Sequence, residues 1–166
     1  MDFVTSSDGT RIGYATQGSG PPLLFVGGAF SDHSTGAALA AALAPHFTVF
    51  TYDRRGRGKS GDAPAYAVQK ELDDIAALLA TAGSDAPLLG FSSGAMLVLE
   101  SARQGTARGP LIVIEPPYLL DDSRARPPLD FPARLTALIQ AGKRGEAVEL
   151  FQADFIGIPR PVVEQL

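Results

Sequence analysis

The sequence predicts an α/β fold, a mostly parallel sheet with helices on both faces, on three observations. Short apolar runs, "LLFVGG", "FTVFTYD", "PLLGFS" and "LIVIE", alternate with segments of helical pattern. The first of them, "LLFVGG", is unbroken by polar residues, as a strand covered on both faces requires. The 166 residues are 45% hydrophobic, enough for a sizeable core in one ordinary domain.

The elements follow in order. "DFVTSSDGTRIGYATQG" reads as two strands around Asp8-Gly9, a pair that supplies the backbone angles of a tight hairpin. After "GSGPP", the run "LLFVGG" is a buried strand ended by glycines. "STGAALAAALA" is helical, with Ser34 or Thr35 to cap it and Pro45 to stop it. Phe47 to Asp53 is β-branched and aromatic, hence a strand. In "YAVQKELDDIAALLATAG", Val68, Leu72, Ile75 and Leu79 form an apolar stripe with Lys70, Asp73 and Asp74 facing outward, and Gly83 ends the helix. "PLLGFS" is the next strand, and "SGAMLVLESARQG" is a helix apolar on nearly every side. Leu111 to Glu115 completes the strands.

From Pro116 the texture changes to "PPYLLDDSRARPPLDFP" and then to helical pattern alone. Leu135, Leu138 and Ile139 make one apolar stripe, Val148, Phe151 and Phe155 another, and Pro161 opens a helix that runs to Leu166. The predicted division is a core over residues 1–120 and a helical segment over 121–166.

Composition excludes several classes. There is no cysteine, so disulfides and thiolate metal sites are ruled out. The start lacks a basic leader and an apolar core, no run is long enough to span a bilayer, and a cytoplasmic protein is expected. The formal net charge is -4, and Arg54, Arg55, Arg57 and Lys59 are too few for a nucleic-acid face. "RGRGKSGD" is not a phosphate loop, because Asp53 stands where the first glycine belongs and Pro64 interrupts any following helix. No cofactor and no metal are expected.

The chemistry centres on Gly90-Phe91-Ser92-Ser93-Gly94, which fits G-x-S-x-G between a strand and a helix. Glycines at both ends let the backbone turn sharply and hold the Ser92 hydroxyl out as a nucleophile. Ser93 begins the helix, so its N–H faces the place where an attacked carbonyl would build negative charge. "FVGGAF" ends an earlier strand, and its glycine pair lets the Ala29 N–H serve as a second oxyanion donor.

With "YDRRGRGKS", Tyr52 to Ser60, as a third motif, the chain resembles the N-terminal part of alpha/beta-hydrolase-fold proteins of the esterase, lipase and haloperoxidase-like group. In that family an oxyanion loop, D-x-R-G-x-G-x-S and G-x-S-x-G follow one another, as Gly27-Gly28-Ala29, Asp53 to Ser60 and Gly90 to Gly94 do here. The resemblance implies hydrolysis of an ester or related acyl substrate, a mainly structural role for Asp53, and a helical cap for the tail. Many members carry histidine where this chain has Gly27 and Phe91; here Phe30 and Phe91 make an apolar entrance.

The serine needs a histidine, and in this family the order is serine, acid, histidine. Both histidines precede Ser92. His46 begins a strand and lies about 23 Å from its far end. His33 follows Ala29 on the pocket side and reads as a solvent-exposed loop residue. Glu115 ends the last strand, either as the acid or as a pocket-wall carboxyl with raised pKa. The chain is expected to be a truncated or split hydrolase of low activity, or a non-catalytic binding module. An unpaired edge at its last strand would invite a complementary chain or self-association.

Overall fold

The computed structural model describes residues 1–121 and 126–165, which form two compact units, Met1–Pro117 and Tyr118–Leu166. In the first, six strands make one sheet: β1 (Asp2–Thr5), β2 (Arg11–Gln17), β3 (Pro22–Val26), β4 (Thr48–Tyr52), β5 (Leu88–Phe91) and β6 (Leu111–Ile114). Their spatial order is β1-β2-β4-β3-β5-β6. β1 pairs antiparallel with β2, and β2 with β4. From β4 through β3 and β5 to β6 the pairing is parallel.

The hairpin forms where Asp8-Gly9 places it. Gly9 has φ +84° and donates to the Ser6 carbonyl, while Asp8 accepts from the Thr10 N–H. Alternate residues of β3 then divide the core. Leu24 and Val26 join Phe50, Leu88 and the apolar faces of α2 (Val68–Ala82) and α3 (Ser93–Arg103). Leu23 and Phe25 pack on the other side with Val49, Leu89 and Ala40 of α1 (Ala37–Leu43). One helix therefore covers one face and two cover the other.

Three local readings change. α1 starts later than Ser34 or Thr35, because the Asp32 carboxylate accepts from the Ser34 and Thr35 amides and closes a turn first. α2 starts at Val68, whose side chain is exposed rather than part of the stripe. Asp74 does not face outward: it is buried, as is Glu71. Arg55 donates to both Asp74 oxygens, at 2.8 and 2.7 Å, and at 3.0 Å to Asp8 in the hairpin turn. Those bonds to Asp74, opposed by burial, hold the Arg55 guanidinium above its usual pKa, and the Arg55 bond holds the Asp8 carboxyl below its own.

The second unit contains α4 (Phe131–Gln140), α5 (Arg144–Leu150), a π-helical turn (Phe151–Ile156) and α6 (Arg160–Val163). Phe131, Phe151 and Phe155 stack around one another, with centroids 4.9 to 6.3 Å apart. Asp154 pairs with Arg134 and Arg160. Ile139 and Val148 are exposed, while Ala147 and Leu150 are buried. Of the stripe Val148, Phe151 and Phe155, the two phenylalanines pack together and on Phe131, and Val148 is exposed. Part of the proline-rich stretch, 122–125, and Leu166 lie outside the described residues. Among the described residues no helix is long and apolar enough to cross a membrane.

Two buried hydroxyls, Tyr52 Oη and Ser101 Oγ, have no hydrogen-bond partner among the described residues. An unmet buried hydroxyl costs about 1–3 kcal/mol. Ser101→Ala removes it from the interior of α3 and is expected to raise unfolding free energy by about 1 kcal/mol in urea titration. A loss of stability would mean that the hydroxyl has a partner after all.

Candidate active site

The site is built at the carboxyl ends of β3, β4 and β5, where the parallel strands point the same way. Ser92 occupies the sharp turn between β5 and α3 with φ +53° and ψ -123°, a conformation that costs a non-glycine residue roughly 1–3 kcal/mol. Its backbone is held on both sides: the N–H donates to the Ile114 carbonyl at 2.9 Å, and the carbonyl accepts from Ala95 at 2.9 Å. The Ser92 hydroxyl is half-buried, with no hydrogen-bond partner among the described residues.

The two motif glycines are demanded by close approach. A Cβ on Gly90 would lie 2.6 Å from Ala95 Cα. One on Gly94 would overlap the carbonyl oxygens of Val26 and Gly27, so α3 rests directly on the end of β3. On the facing loop, a Cβ on Gly28 would stand 3.4 Å from Ser92 Cβ. The Gly27-Gly28-Ala29 loop and the serine are thus neighbours.

That loop sorts its own amides. The Gly28 N–H donates to Ser31 Oγ at 3.1 Å and is used up. The Gly28 carbonyl accepts from Arg54 Nη1 and Arg57 Nη1, each at 3.2 Å. Carbonyl and following N–H point oppositely in a trans peptide, so the Ala29 N–H faces away from the arginines. It has no hydrogen-bond partner among the described residues. The Ser93 N–H lies in the first turn of α3, where no intrahelical acceptor exists. The loop beside Ser92 and the helix start after it therefore each hold one N–H with no hydrogen-bond partner among the described residues.

Behind the loop, Arg54 Nε and Nη2 meet both oxygens of Glu71, at 2.6 and 2.5 Å, and Nη1 donates to Ser93 Oγ at 2.9 Å. Burial pulls the Arg54 guanidinium down most strongly, but the hydrogen bond and charge of Glu71, with smaller help from Tyr52 and Tyr66, together outweigh it, and the pKa sits above the usual value. Arg57 has no carboxylate partner among the described residues, and burial together with the Arg54 charge lowers its pKa.

His33 is not a free loop residue. Its N–H and Nδ1 reach Asp53 Oδ1 at 2.8 and 2.7 Å, and its side chain is 33% exposed. Asp53 is fully buried and also accepts from the Lys59 N–H at 2.7 Å. Burial raises its pKa, yet the Lys59 and His33 hydrogen bonds hold the carboxyl below its usual value. Asp32, His33 and Asp53 place ligand atoms within 4.8 Å of one another, but the shared oxygens already accept these hydrogen bonds and those of Ser34 and Thr35. β4, which leads to Asp53, is separated from β5 by β3, about 10 Å from the serine strand. His46 is exposed before the opposite end of β4. Glu115 follows the strand beside Ser92 with φ +50°, but it is exposed, not a buried pocket-wall carboxyl. Phe30 and Phe91 are 56% and 39% exposed.

A model of the alpha/beta hydrolase family matches residues 23–164. The hydrolase YraK of Bacillus subtilis is 35% identical over 116 residues, covering 68% of this chain and 43% of the relative. A non-heme haloperoxidase of Rhodococcus erythropolis is 34% identical over 127 residues, covering 72% of this chain and 46% of the relative. The crystal structure of an alpha/beta hydrolase from Sphaerobacter thermophilus superposes with a TM-score of 0.96 at 51% identity, over 99% of this chain and 64% of that one. The chain thus spans less than half of the two curated relatives and 64% of the solved hydrolase.

The contact of Gly94 with β3 yields a sign test. Glycine to alanine inside a helix ordinarily stabilises by about 1 kcal/mol. Gly94→Ala is expected instead to destabilise by about 3 kcal/mol, read from urea unfolding, because the methyl meets backbone rather than a side chain that can move. Unchanged or increased stability would contradict the packing described.

Proposed function

We propose that this chain, which belongs to the alpha/beta hydrolase family, carries the nucleophile and oxyanion hole of a serine hydrolase acting on an ester or related acyl substrate. The observation that supports the reading most is the strained backbone of Ser92 beside the Gly28 loop, with the Ala29 and Ser93 N–H groups without hydrogen-bond partners among the described residues. Ser92 Oγ attacks the acyl carbon, the carbonyl oxygen takes up negative charge between the two N–H groups, and collapse expels the alcohol. Such donors act where charge develops, and removing one typically costs about 10²–10³ in turnover.

The base is the missing part. A serine hydroxyl attacks poorly unless its proton is removed, and neither histidine of this chain is at hand: His33 holds Asp53 and His46 lies at the far strand end. Activity of these residues alone is therefore low, with the base and its acid supplied from outside them. Glu115 is the carboxylate whose backbone position is nearest in register to the serine, since Ile114 accepts the Ser92 N–H. We read Tyr118–Leu166 as the start of a lid, from its all-helical build and aromatic cluster. β6, at the edge of the sheet with Ile112, Val113 and Ile114 exposed, is the place where a further strand or chain would add. A second reading, a binding module that keeps the fold without turnover, is favoured by the engagement of His33 with Asp53.

An external base separates the two. Imidazole added to the chain with a fluorophosphonate probe is expected to accelerate phosphonylation at Ser92, located by peptide mass spectrometry, and Ser92→Ala is expected to abolish it. Labelling that survives Ser92→Ala, or that imidazole leaves unchanged, favours the binding module.

A further inference from the structure

One guanidinium touches both halves of the oxyanion hole. Arg54 Nη1 donates to the Gly28 carbonyl at 3.2 Å, to the Gly27 carbonyl at 3.4 Å, and to Ser93 Oγ at 2.9 Å. Its other edge is locked by Glu71 through two hydrogen bonds, and the Tyr66 hydroxyl donates to the same Glu71 carboxylate at 3.2 Å. Arg54 and Glu71 are both nearly inaccessible, so water does not compete for the fork.

Geometry gives these contacts a consequence beyond packing. A peptide whose carbonyl is drawn one way must present its N–H the other way, so the pull on Gly28 sets where the Ala29 N–H points. The contact at Ser93 tethers the first residue of α3, the source of the second N–H. A loop ending in paired glycines has many backbone states open to it, and a fixed charge-assisted donor selects one of them. Arg57 adds a second hydrogen bond to the Gly28 carbonyl but, among the described residues, makes no hydrogen bond to Ser93 and has no carboxylate partner.

We propose that Arg54, held by Glu71, is a positioning residue of the oxyanion hole: a single fork orients the Ala29 and Ser93 amides together, linking α2 to the reaction centre. The assignment rests on the proposed function for its chemical meaning, while the orientation itself is independent of turnover. Arg54 does not contact the reacting atoms. The substitution Arg54→Lys keeps a positive charge near Glu71 but cannot bind the carboxylate with two parallel hydrogen bonds and still reach Gly28 and Ser93.

The test compares the wild-type chain with Arg54→Lys and Glu71→Gln. Two measurements are made on each: the Ala29 and Ser93 amide resonances in ¹H–¹⁵N spectra, and the rate of imidazole-assisted fluorophosphonate labelling at Ser92. Both variants are expected to shift the two amides and to slow labelling by about tenfold or more, while the melting temperature of Glu71→Gln stays well above the assay temperature. A purely structural role predicts lower melting temperature with both amides in place and labelling unchanged in the folded fraction, and that result overturns the proposal. Should the wild-type chain fail to label, the hydrolase reading falls and the amide shifts still decide the positioning role: shifts at both Ala29 and Ser93 uphold it, and unmoved resonances overturn it. Should a variant fail to fold, Ser93→Ala, which removes only the tether on α3, is expected to slow labelling while the Ala29 amide stays in place; unchanged labelling overturns the proposal.

Discussion

The buried pair of Arg54 and Glu71 is costly to build, since each charge taken out of water carries a penalty of about several kcal/mol. Close bidentate geometry offsets that penalty, and the remaining donors of the guanidinium are used on Gly27, Gly28 and Ser93. A well-packed apolar pair in the same space would stabilise the fold as well or better. What the ions supply is direction. An apolar side chain has no preference for where the Gly28 carbonyl points, whereas a guanidinium does, and α2, the loop after β4, the glycine loop after β3 and the start of α3 all meet at this one group.

Close packing supplies the other half of the arrangement. Gly94 lets α3 rest against the carbonyls that end β3, and Gly90 lets β5 turn directly under Ala95. Ser92 is then trapped between two backbone hydrogen bonds and cannot relax to a relaxed φ without breaking one. Strain of this kind persists only where surroundings over-determine it. Sheet order does the rest, because placing β3 between β4 and β5 brings the arginine loop and the serine turn to either side of one glycine loop.

Much of this was legible in the residues. The buried strand β3 announces itself as an unbroken apolar run, although the equally apolar β6 is exposed at the sheet edge, and the Gly90 to Gly94 spacing between strand and helix marks the turn that holds Ser92. The partners of the arginines were not legible in the same way. A helical pattern sends charge outward by default, yet Glu71 and Asp74 share a face with Leu72, Ile75 and Leu78 because Arg54 and Arg55 await them. Two acids three residues apart, set against two adjacent arginines, were the available signal. The pairing of His33 with Asp53 depends on a loop fold across twenty residues that no local pattern encodes, and nothing beside Ser31 in the sequence marks its hydroxyl as the acceptor of the Gly28 N–H.

The central claim is that Ser92 stands between two oriented donor amides. A crystal structure of the chain with phenylboronic acid, which forms a tetrahedral adduct on a reactive serine, tests this directly. The account predicts a bond from boron to Ser92 Oγ and one boronate oxygen within about 2.7–3.1 Å of both the Ala29 and Ser93 nitrogens. Boron bound elsewhere, or a boronate oxygen that meets neither amide, would contradict it.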